Sequence, residues 1–259
     1  MTVAPKKALG QHFLVDDNVL GVIDRLAELG PEDVVIEIGP GLGVLTAYLG
    51  DRVRCVHAIE IDRSLEPQLT RRLEGRGNVG LVFGDALVLD LGTLDPPPRK
   101  LVANLPYNVA TPIVVESLEG LPTVERWCVM VQREIADRYF AVPRTKQYGA
   151  VSVLVQLATT RTGFHPVSRD VFRPRPNVDS ALVAFRRVQL PESFPAVRRV
   201  VANAFAHRRK TLANSLALAG LASRDRGVQA LRAIGRDPST RAEELEPAEF
   251  VSLTAALAG

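Results

Sequence analysis

The 259-residue sequence predicts an α/β fold with a mostly parallel sheet, followed by a small all-helical C-terminal domain. Two observations predict this arrangement. Short apolar runs alternate with helical patterns through most of the chain, and from about Pro191 the pattern becomes wholly helical. Strands separated by helices need right-handed crossovers, which make neighbouring strands parallel. We therefore expect two domains, residues 1–190 and residues 191–259.

The predicted parallel strands are buried apolar runs of similar length, at Val34–Ile38, Cys55–Ile59, Val79–Phe83, Lys100–Ala103 and Trp127–Val131. Helical patterns begin at Val44 and cover Leu65–Leu73. Two later apolar runs are candidates for an antiparallel pair of strands, Val151–Ala158 and Ala181–Phe185. The C-terminal helices are expected over Pro195–Ala219, Gly227–Ile234 and Pro247–Leu257.

The overall charge does not identify a partner, but its distribution is uneven. Lys and Arg number 32 and Asp and Glu number 29, so the net charge is only +3. Between Glu192 and Arg241 there are ten basic and three acidic residues. Such a basic zone is typical of a surface that binds phosphate. A solvated helix face explains it equally well.

Other features of the composition exclude several classes of protein. Cys55 and Cys128 lie in apolar runs without a partner motif, which favours reduced thiols in the cytoplasm. The four histidines lack the spacing of metal ligands, so we expect no metal. Met1–Phe13 lacks the apolar run of a signal peptide, and no apolar stretch approaches the ~20 residues that cross a bilayer. We expect a cytoplasmic protein that does not contact the membrane.

A glycine-rich loop follows the first predicted strand. Glu37–Gly43 has the spacing G-x-G-x-G with an acid two residues ahead of Gly39. Glycine lets the backbone turn tightly and approach a ligand closely, here at Gly39 and Gly41. A dinucleotide site usually has the form G-x-G-x-x-G, whereas the spacing seen here is more typical of methyltransferases. A purely structural turn remains the alternative.

Acids follow the next two predicted strands. Glu60 lies at the end of the second strand, where a carboxylate can accept both ribose hydroxyls of an adenosine. Asp62 is more simply explained as a helix cap. The third strand ends in Gly84–Ala86, where Asp85 can accept a hydrogen bond from an adenine amine. Single acids of this kind are more often surface residues, but the ends of parallel strands face one crevice, and together they indicate a nucleoside site.

The fourth predicted strand ends in Asn104–Tyr107, which we interpret as the chemical site. An adenine amine is a weak nucleophile, and its lone pair must be aimed at a methyl donor. Asn104 and the carbonyl of Leu105 can accept its two hydrogens. Pro106 fixes the turn and has no N–H to compete, while Tyr107 offers a flat face to the base. A plain tight turn is the alternative.

A second aromatic residue and two arginines occur in a proline-rich segment. Phe172 is a candidate second stacking ring for a base that has left its stack. Arg173 and Arg175 are candidates for contacts with RNA phosphates. A phenylalanine of the core explains Phe172 equally well.

Taken together, these motifs resemble the small-subunit ribosomal RNA adenine N6,N6-dimethyltransferases, the kasugamycin-sensitivity enzymes of bacteria. The resemblance spans almost the whole chain, and its combination of motifs is highly specific. The matching segments are Lys6–Leu14, Glu37–Gly43, Glu60, Gly84–Ala86, Asn104–Tyr107, Gln132–Glu134, Phe172–Ser180 and Phe205–Leu212.

The resemblance implies a Rossmann-like class I methyltransferase domain and a small helical RNA-binding domain. It implies that S-adenosyl-L-methionine donates two methyls to N6 of each of two adjacent adenosines near the 3′ end of small-subunit rRNA. The expected partner is this rRNA within an immature 30S particle, and the expected protein is a monomer. The residues expected to contact the cofactor are His12, Leu14, Gly39, Gly41, Glu60, Asp85, Ala86 and Asn104.

Two details of the resemblance concern particular residues. Position 12 is often Asn in this family and is His here, and both side chains can form hydrogen bonds. In the basic zone, Arg208, Arg209 and Lys210 are the expected RNA-binding residues.

Other functions remain open at this point. The related macrolide-resistance methyltransferases of large-subunit rRNA share the glycine loop and a similar Asn-x-Pro-Tyr motif, but Lys6–Leu14 and Phe205–Leu212 favour the small-subunit enzyme. A non-catalytic RNA-binding factor on the same fold would have no need of Glu60, Asp85 and Asn104 together. The rRNA-family motifs also argue against a DNA adenine methyltransferase.

Overall fold

The computed structural model describes residues 11–259. They form two compact units. The first contains the residues up to Ala136 together with Thr160–Arg187, and the second contains Asp137–Thr159 and Val188–Gly259. The prediction that residues 1–190 and 191–259 form separate domains stays a prediction. None of the described helices is long and apolar enough to cross a membrane.

The described residues form nine strands and ten α-helices. The strands are β1 (Phe13–Leu14), β2 (Val34–Ile38), β3 (Cys55–Glu60), β4 (Val79–Phe83), β5 (Lys100–Asn104), β6 (Arg126–Gln132), β7 (Thr159–Val167), β8 (Phe172–Arg173) and β9 (Ser180–Arg187). The helices are α1 (Asp17–Ala27), α2 (Val44–Gly50), α3 (Glu66–Arg72), α4 (Ala110–Gly120), α5 (Arg133–Tyr139), α6 (Ala150–Ala158), α7 (Phe194–Phe205), α8 (Leu212–Leu218), α9 (Arg224–Ala233) and α10 (Pro247–Ala258).

Seven strands form one sheet in the order β4-β3-β2-β5-β6-β9-β7. Strands β4, β3, β2, β5 and β6 run parallel to one another, and β9 runs antiparallel to β6. The five predicted parallel strands are thus confirmed. From β2 the chain builds the sheet first towards β4 and then, from β5, in the opposite direction. Ligands of open α/β sheets bind where the strand order reverses in this way, beyond the carboxyl ends of the strands.

The core of this unit explains why the strands are so apolar. Every residue of β2 is buried, because the strand lies inside the sheet and both of its faces are covered. Helix α1 packs on one side through Val19, Leu20 and Ile23, and its apolar residues recur at helical spacing. The side chain of Asp16 caps this helix by accepting from the Asn18 N–H at 2.8 Å. The rigid sheet positions the loops at its carboxyl edge.

One strand prediction is wrong, and three strands, β1, β7 and β8, were not predicted. Val151–Ala158 belongs to helix α6, and the strand that follows it is β7 at the edge of the sheet. The run is apolar on nearly all sides, so periodicity could not separate a buried helix from a buried strand. Ala181–Phe185 lies in β9 as predicted, but it pairs with Trp127–Val131 of β6.

The second unit is helical, as the sequence predicted for the C-terminal region. Helices α9 and α10 match their predictions closely, but the single helix expected over Pro195–Ala219 is divided into α7 and α8. Ser215 holds the intervening turn, because its hydroxyl donates to the Asn203 carbonyl (2.8 Å) and accepts from the His207 N–H (3.2 Å). Within the same unit the Tyr148 hydroxyl donates to the Leu245 carbonyl (2.7 Å).

A short ribbon joins distant parts of the first unit. β1 and β8 pair antiparallel, with Phe13 opposite Arg173 and Leu14 opposite Phe172. The Val15 N–H extends the pairing by donating to the Val171 carbonyl at 2.9 Å. The ribbon places residues 11–14 beside the carboxyl edge of the sheet, where they line a cavity.

Candidate active site

A cavity of about 660 Å³, measured with its opening to solvent, lies at the carboxyl ends of β2, β3 and β5. The glycine loop, Glu60 and the Asn104–Tyr107 turn form its walls, together with residues 11–14. The structure therefore brings three of the four predicted strand-end motifs to one crevice.

The glycine loop needs its glycines. Gly39 and Gly41 have φ angles of 78° and 58°, a region that other residues avoid. A Cβ on Gly39 would also lie 3.2 Å from the ring of Pro106, and one on Gly41 would lie 2.9 Å from the ring of Phe13. The loop therefore fits closely between the chemical turn and the ribbon, and side chains there would fill the cavity.

Glu60 is buried at the tip of β3 with its carboxylate on the cavity wall. Its Oε2 accepts from the Gly41 N–H (3.0 Å) and its Oε1 from the Asp62 N–H (2.8 Å). Burial raises the pKa of Glu60, and these backbone donors offset part of that rise. Each oxygen has a further lone pair for a ligand hydroxyl. Asp62 caps the next helical turn by accepting from the Ser64 N–H, as expected.

Glu37 is a second acid in the cavity wall, and it is almost completely buried. Burial raises its pKa from 4.5 to about 8, the nearby charge of Glu60 adds to the rise, and Thr46 offsets part of it. Among the described residues its Oε2 has no hydrogen-bond partner. A positively charged ligand would stabilise the ionised forms of both carboxyl groups.

Asn104 ends β5 and has one occupied and one unoccupied polar atom. Its amide nitrogen donates to the backbone carbonyl of His12 at 3.0 Å. Because a carbonyl can only accept, this bond fixes which end of the amide is oxygen. That oxygen is buried and has no hydrogen-bond partner within residues 11–259. Buried polar atoms are nearly always paired, so an unpaired acceptor in a cavity wall indicates a donor on the ligand.

The rest of the turn places an aromatic ring in the wall of the same cavity. The Leu105 N–H donates to the Met130 carbonyl at 3.0 Å, which anchors the turn to β6. The Tyr107 hydroxyl forms a 2.5 Å hydrogen bond with the Ser180 hydroxyl, and burial raises the pKa of Tyr107. The half-buried ring of Tyr107 lines the cavity.

The acid after the third parallel strand lies beside the cavity, outside its lining. Asp85 is exposed, and its Oδ1 accepts from the Leu87 N–H at 2.9 Å. The Gly84 N–H donates to the Glu60 carbonyl at 2.9 Å, which holds the end of β4 beside the end of β3. Asp85 and Ala86 follow directly after this end of β4. Their expected contact with the cofactor stays a prediction.

The proposed second stacking ring, Phe172, has no exposed face. It is fully buried in the core with Leu14, because β8 pairs with β1 and turns the ring inwards. The structure thus favours the core alternative for Phe172. Arg173 donates to the carbonyls of Asp170 and Phe172, and Arg175 forms a 2.9 Å ion pair with Asp170 on the surface.

The expected RNA-binding residues of the helical unit have different surroundings. All three lie exposed in the turn between α7 and α8. Arg208 donates to the carbonyls of Lys146 (3.3 Å) and Tyr148 (3.1 Å), whereas no such bond ties down the side chains of Arg209 and Lys210 in the described structure. Arg208 therefore stabilises its own unit, and Arg209 and Lys210 are more accessible to phosphate.

Several residues of the site were not predicted from the sequence. Glu37 was noted only as part of a motif, and Phe13, Gln11 and Ser180 were given no role. The sequence carried no signal for Ser180, because its place depends on the pairing of β9 with β6, where its partner Gln132 lies two residues after Met130, the partner of Asn104. The motif Lys6–Leu14, on which part of the resemblance rests, falls partly outside the described residues, which begin at Gln11.

The described residues were also compared with the requirements of a metal site. In the part of the chain that the structure describes, no group of three or more His, Cys, Asp or Glu side chains is placed to hold an ion.

Comparisons with known proteins agree with this geometry. The family described as ribosomal RNA adenine dimethylase matches residues 4–258. Ribosomal RNA small subunit methyltransferase A of Rubrobacter xylanophilus is 48% identical over 97% of this chain and 95% of its own length. The solved structure of 23S rRNA methyltransferase ErmE has a TM-score of 0.66 at 30% identity, over 95% of this chain and 100% of that one.

A further solved structure supports the fold alone. A dimethyladenosine transferase from Plasmodium falciparum has a TM-score of 0.75 at 24% identity, over 93% of this chain and 96% of that chain. The class I methyltransferase fold expected from the sequence is therefore confirmed. Since the family model matches nearly the whole chain, and the glycine loop, Glu60 and the Asn-Leu-Pro-Tyr turn line one cavity, this chain belongs to the ribosomal RNA adenine dimethylase family.

Proposed function

We propose that this protein transfers methyl groups from S-adenosyl-L-methionine to N6 of two adjacent adenosines near the 3′ end of small-subunit rRNA. Each adenosine becomes N6,N6-dimethyladenosine during maturation of the small subunit. The relatives named small subunit methyltransferase A, at 48% identity and nearly full coverage, support this choice of substrate.

The observation that carries the proposal is the unpaired oxygen of Asn104. The His12 carbonyl holds the amide nitrogen, so Oδ1 presents a fixed, buried acceptor at the cavity. An adenine amine carries two hydrogens, one for this oxygen and one for the Leu105 carbonyl. Accepting both of them aims the N6 lone pair away from the turn. Such positioning can supply ~7–11 kcal/mol of the barrier reduction.

The residues of the cavity fit the methyl donor. When bound, S-adenosyl-L-methionine would supply a methyl carbon attached to a positively charged sulfur. The N6 lone pair would attack this carbon, and the sulfur would be the leaving group. We assign Glu60 to the ribose hydroxyls and Gly39 and Gly41 to the close approach of the backbone. Burial raises the pKa values of Glu37 and Glu60, and a cationic ligand in the cavity would in turn favour their ionised forms.

Four more expected contacts remain proposals. His12 and Leu14 line the same cavity, which supports a place for them beside the donor. We propose that Asp85 and Ala86, which adjoin Glu60 across the neighbouring strand, bind the adenine of the donor.

Because the methylated nitrogen becomes more acidic as the N–C bond forms, the reaction needs no strong base from the protein.

Tyr107 provides a stacking surface for the target base. Its hydroxyl is held by Ser180, so the ring has a defined orientation. Stacking of a base on an aromatic ring contributes ~1–3 kcal/mol. The base must first leave its stack in the RNA, which requires an unpaired or distorted target.

A large-subunit enzyme of the macrolide-resistance type is the second candidate, because ErmE is similar over almost the whole chain. Its identity to this chain is 30%, against 48% for the small-subunit relative. Incubating purified immature 30S particles and 23S rRNA separately with labelled donor distinguishes the two. We expect label in the 30S rRNA, and label confined to 23S rRNA would overturn the proposed substrate.

A non-catalytic RNA-binding factor is the third candidate. Such a protein would bind 30S particles without consuming the donor. The same incubation tests it, because binding without any transfer of label would favour this candidate. The unpaired Asn104 oxygen argues against it, since a factor that only binds RNA has no use for a buried, unsatisfied acceptor.

We propose the remaining features on the same basis. Residues 1–190 form the catalytic domain, and residues 191–259 contribute to binding rRNA through Arg209 and Lys210. Arg173 and Arg175 supply further phosphate contacts from the exposed loop beside β8. The enzyme acts as a monomer in the cytoplasm, where small subunits mature, and needs no metal.

A further inference from the structure

Two segments that take no part in the methyl-donor cavity meet at a second cavity of the first unit. This second cavity, of about 650 Å³ measured with its opening to solvent, is lined by Gln132–Glu134, by Asn177–Asp179 and by Arg169. The Arg133 N–H donates to the Asp179 carbonyl at 3.0 Å, which holds the two segments together. Both segments belong to motifs of the sequence that the proposed chemistry leaves without a role.

The second cavity adjoins Tyr107 at the carboxyl edge of the sheet. Gln132 is the last residue of β6 and lies directly opposite Ser180 on β9. Opposed residues of antiparallel strands point to the same face of the sheet and are about 5 Å apart. Ser180 in turn shares its 2.5 Å hydrogen bond with the Tyr107 hydroxyl. When a base stacks on Tyr107, the nucleotide next to it in the RNA can therefore reach the second cavity.

Arg169 fixes one wall of the second cavity. Its backbone N–H donates to Asp179 Oδ1 at 3.2 Å, and its guanidinium lies 3.5 Å from the same oxygen. The guanidinium also donates to the Asn177 carbonyl at 2.9 Å. Arg133 and Glu134 add one formal charge of each sign, so the charges of the lining balance. A neutral group such as a base suits this lining better than a bare phosphate does.

Two side-chain amides in the lining are available to such a base. No hydrogen bond within residues 11–259 engages the side-chain amide of Gln132 or of Asn177. An amide is matched to adenine, because its oxygen accepts from N6 and its nitrogen donates to N7, whereas guanine offers two acceptors at this edge. Gln132 is half-buried at the end of a strand and Asn177 is exposed in a loop, so Gln132 has the better defined position.

We propose that the second cavity binds the adenosine next to the one being methylated, and that Gln132 recognises its base through N6 and N7. This inference rests on the proposed function, because it gives the second adenosine of the pair a site of its own. An RNA strand has a direction, and the second cavity lies on one side of Tyr107. The neighbour on one side only, 5′ or 3′, therefore reaches Gln132.

The experiment changes the protein and the RNA together. Immature 30S particles are reconstituted with both target adenosines, or with guanosine in place of either one. Methylation of each remaining adenosine is followed by mass spectrometry of RNA fragments and expressed as kcat/KM. The enzymes are wild type, Gln132→Ala and Gln132→Glu, whose carboxylate keeps the shape of the side chain but cannot donate to N7. Gln189→Ala is the matched control, because Gln189 is exposed and follows the opposite end of β9.

We expect the effect at one of the two adenosines. In particles with both adenosines, each Gln132 variant should lower kcat/KM there about tenfold, and the control should stay within about twofold of wild type. Guanosine at the neighbouring position should cost the wild-type enzyme a similar factor. With that guanosine present the Gln132 variants should match wild type, because the contact is already lost. The affinity for S-adenosyl-L-homocysteine and the melting temperature should not change.

Two results would overturn the inference. If the loss caused by the Gln132 variants persists undiminished with guanosine at either position, Gln132 does not recognise the neighbouring base. If the variants lose nothing at either adenosine of the unaltered particles, Gln132 has no part in binding the RNA. The proposed function fails separately, if the wild-type protein does not methylate particles that carry both adenosines.

Discussion

The buried acid Glu37 makes the stability of this protein depend on pH, and Glu37→Gln tests that dependence. The side chain is 1% exposed, and its Oε2 has no hydrogen-bond partner within residues 11–259. Burial, reinforced by the charge of Glu60, raises its pKa from 4.5 to about 8. Glutamine has nearly the same shape and cannot ionise.

The direction of the effect follows from proton binding. Between pH 4.5 and about 8 the carboxyl group is protonated in the folded state and ionised in the unfolded state. The folded protein therefore binds the extra proton, and its free energy of unfolding falls as the pH rises through this window. One pKa unit corresponds to about 1.4 kcal/mol, so ionising Glu37 inside the fold costs roughly 3 to 5 kcal/mol.

Urea denaturation from about pH 5 to about pH 9 measures this cost. We expect the stability difference between Glu37→Gln and wild type to grow in favour of the variant across the range, by roughly 3 to 5 kcal/mol. Glu32→Gln, at an exposed position, is the matched control and should show no such growth. Parallel curves for Glu37→Gln and wild type would refute the raised pKa.

Four further predictions concern catalysis, the glycine loop and the basic turn. Asn104→Ala should lower kcat by roughly 10²–10³-fold and leave RNA affinity within about threefold, since it removes an acceptor and no charge; single-turnover kinetics and filter binding measure both. Gly41→Ala should weaken binding of S-adenosyl-L-homocysteine in calorimetry, because its φ is 58° and its Cβ would meet a ring at 2.9 Å; unchanged affinity would contradict the close fit. Arg209→Ala with Lys210→Ala should reduce the slope of RNA affinity against salt by about 1 to 2 at unchanged melting temperature. Arg208→Ala should instead cost about 1 kcal/mol of stability, and a purely electrostatic effect would contradict its structural role.

The sequence predicted the parts of the fold that depend on local pattern. The five parallel strands and the loops at their carboxyl ends follow from short apolar runs and from motifs that begin where each run stops. Glu60 and Asn104 could be placed at the cavity for this reason, because the ends of parallel strands meet at one edge. Helix α6 was not predicted, because a short run that is apolar except at Ser152 and Gln156 fits a buried strand as well as a buried helix.

The remaining differences depend on contacts between distant segments. Phe172 is buried because β8 pairs with β1, about 160 residues earlier in the chain, and no local pattern indicates that pairing. The same ribbon brings His12 to Tyr107 and Asn104. The sequence suggested Tyr107 and Phe172 as stacking rings, but only the tertiary pairing shows that Tyr107 lines the cavity and Phe172 does not.

Mass spectrometry of nucleosides from immature 30S particles, after reaction with the donor, tests the central claim most directly. The account predicts two residues of N6,N6-dimethyladenosine in the small-subunit rRNA with the wild-type protein. It predicts almost none with Asn104→Ala, whose buried acceptor is lost. Near-normal dimethyladenosine with Asn104→Ala, or none with wild type, would contradict it.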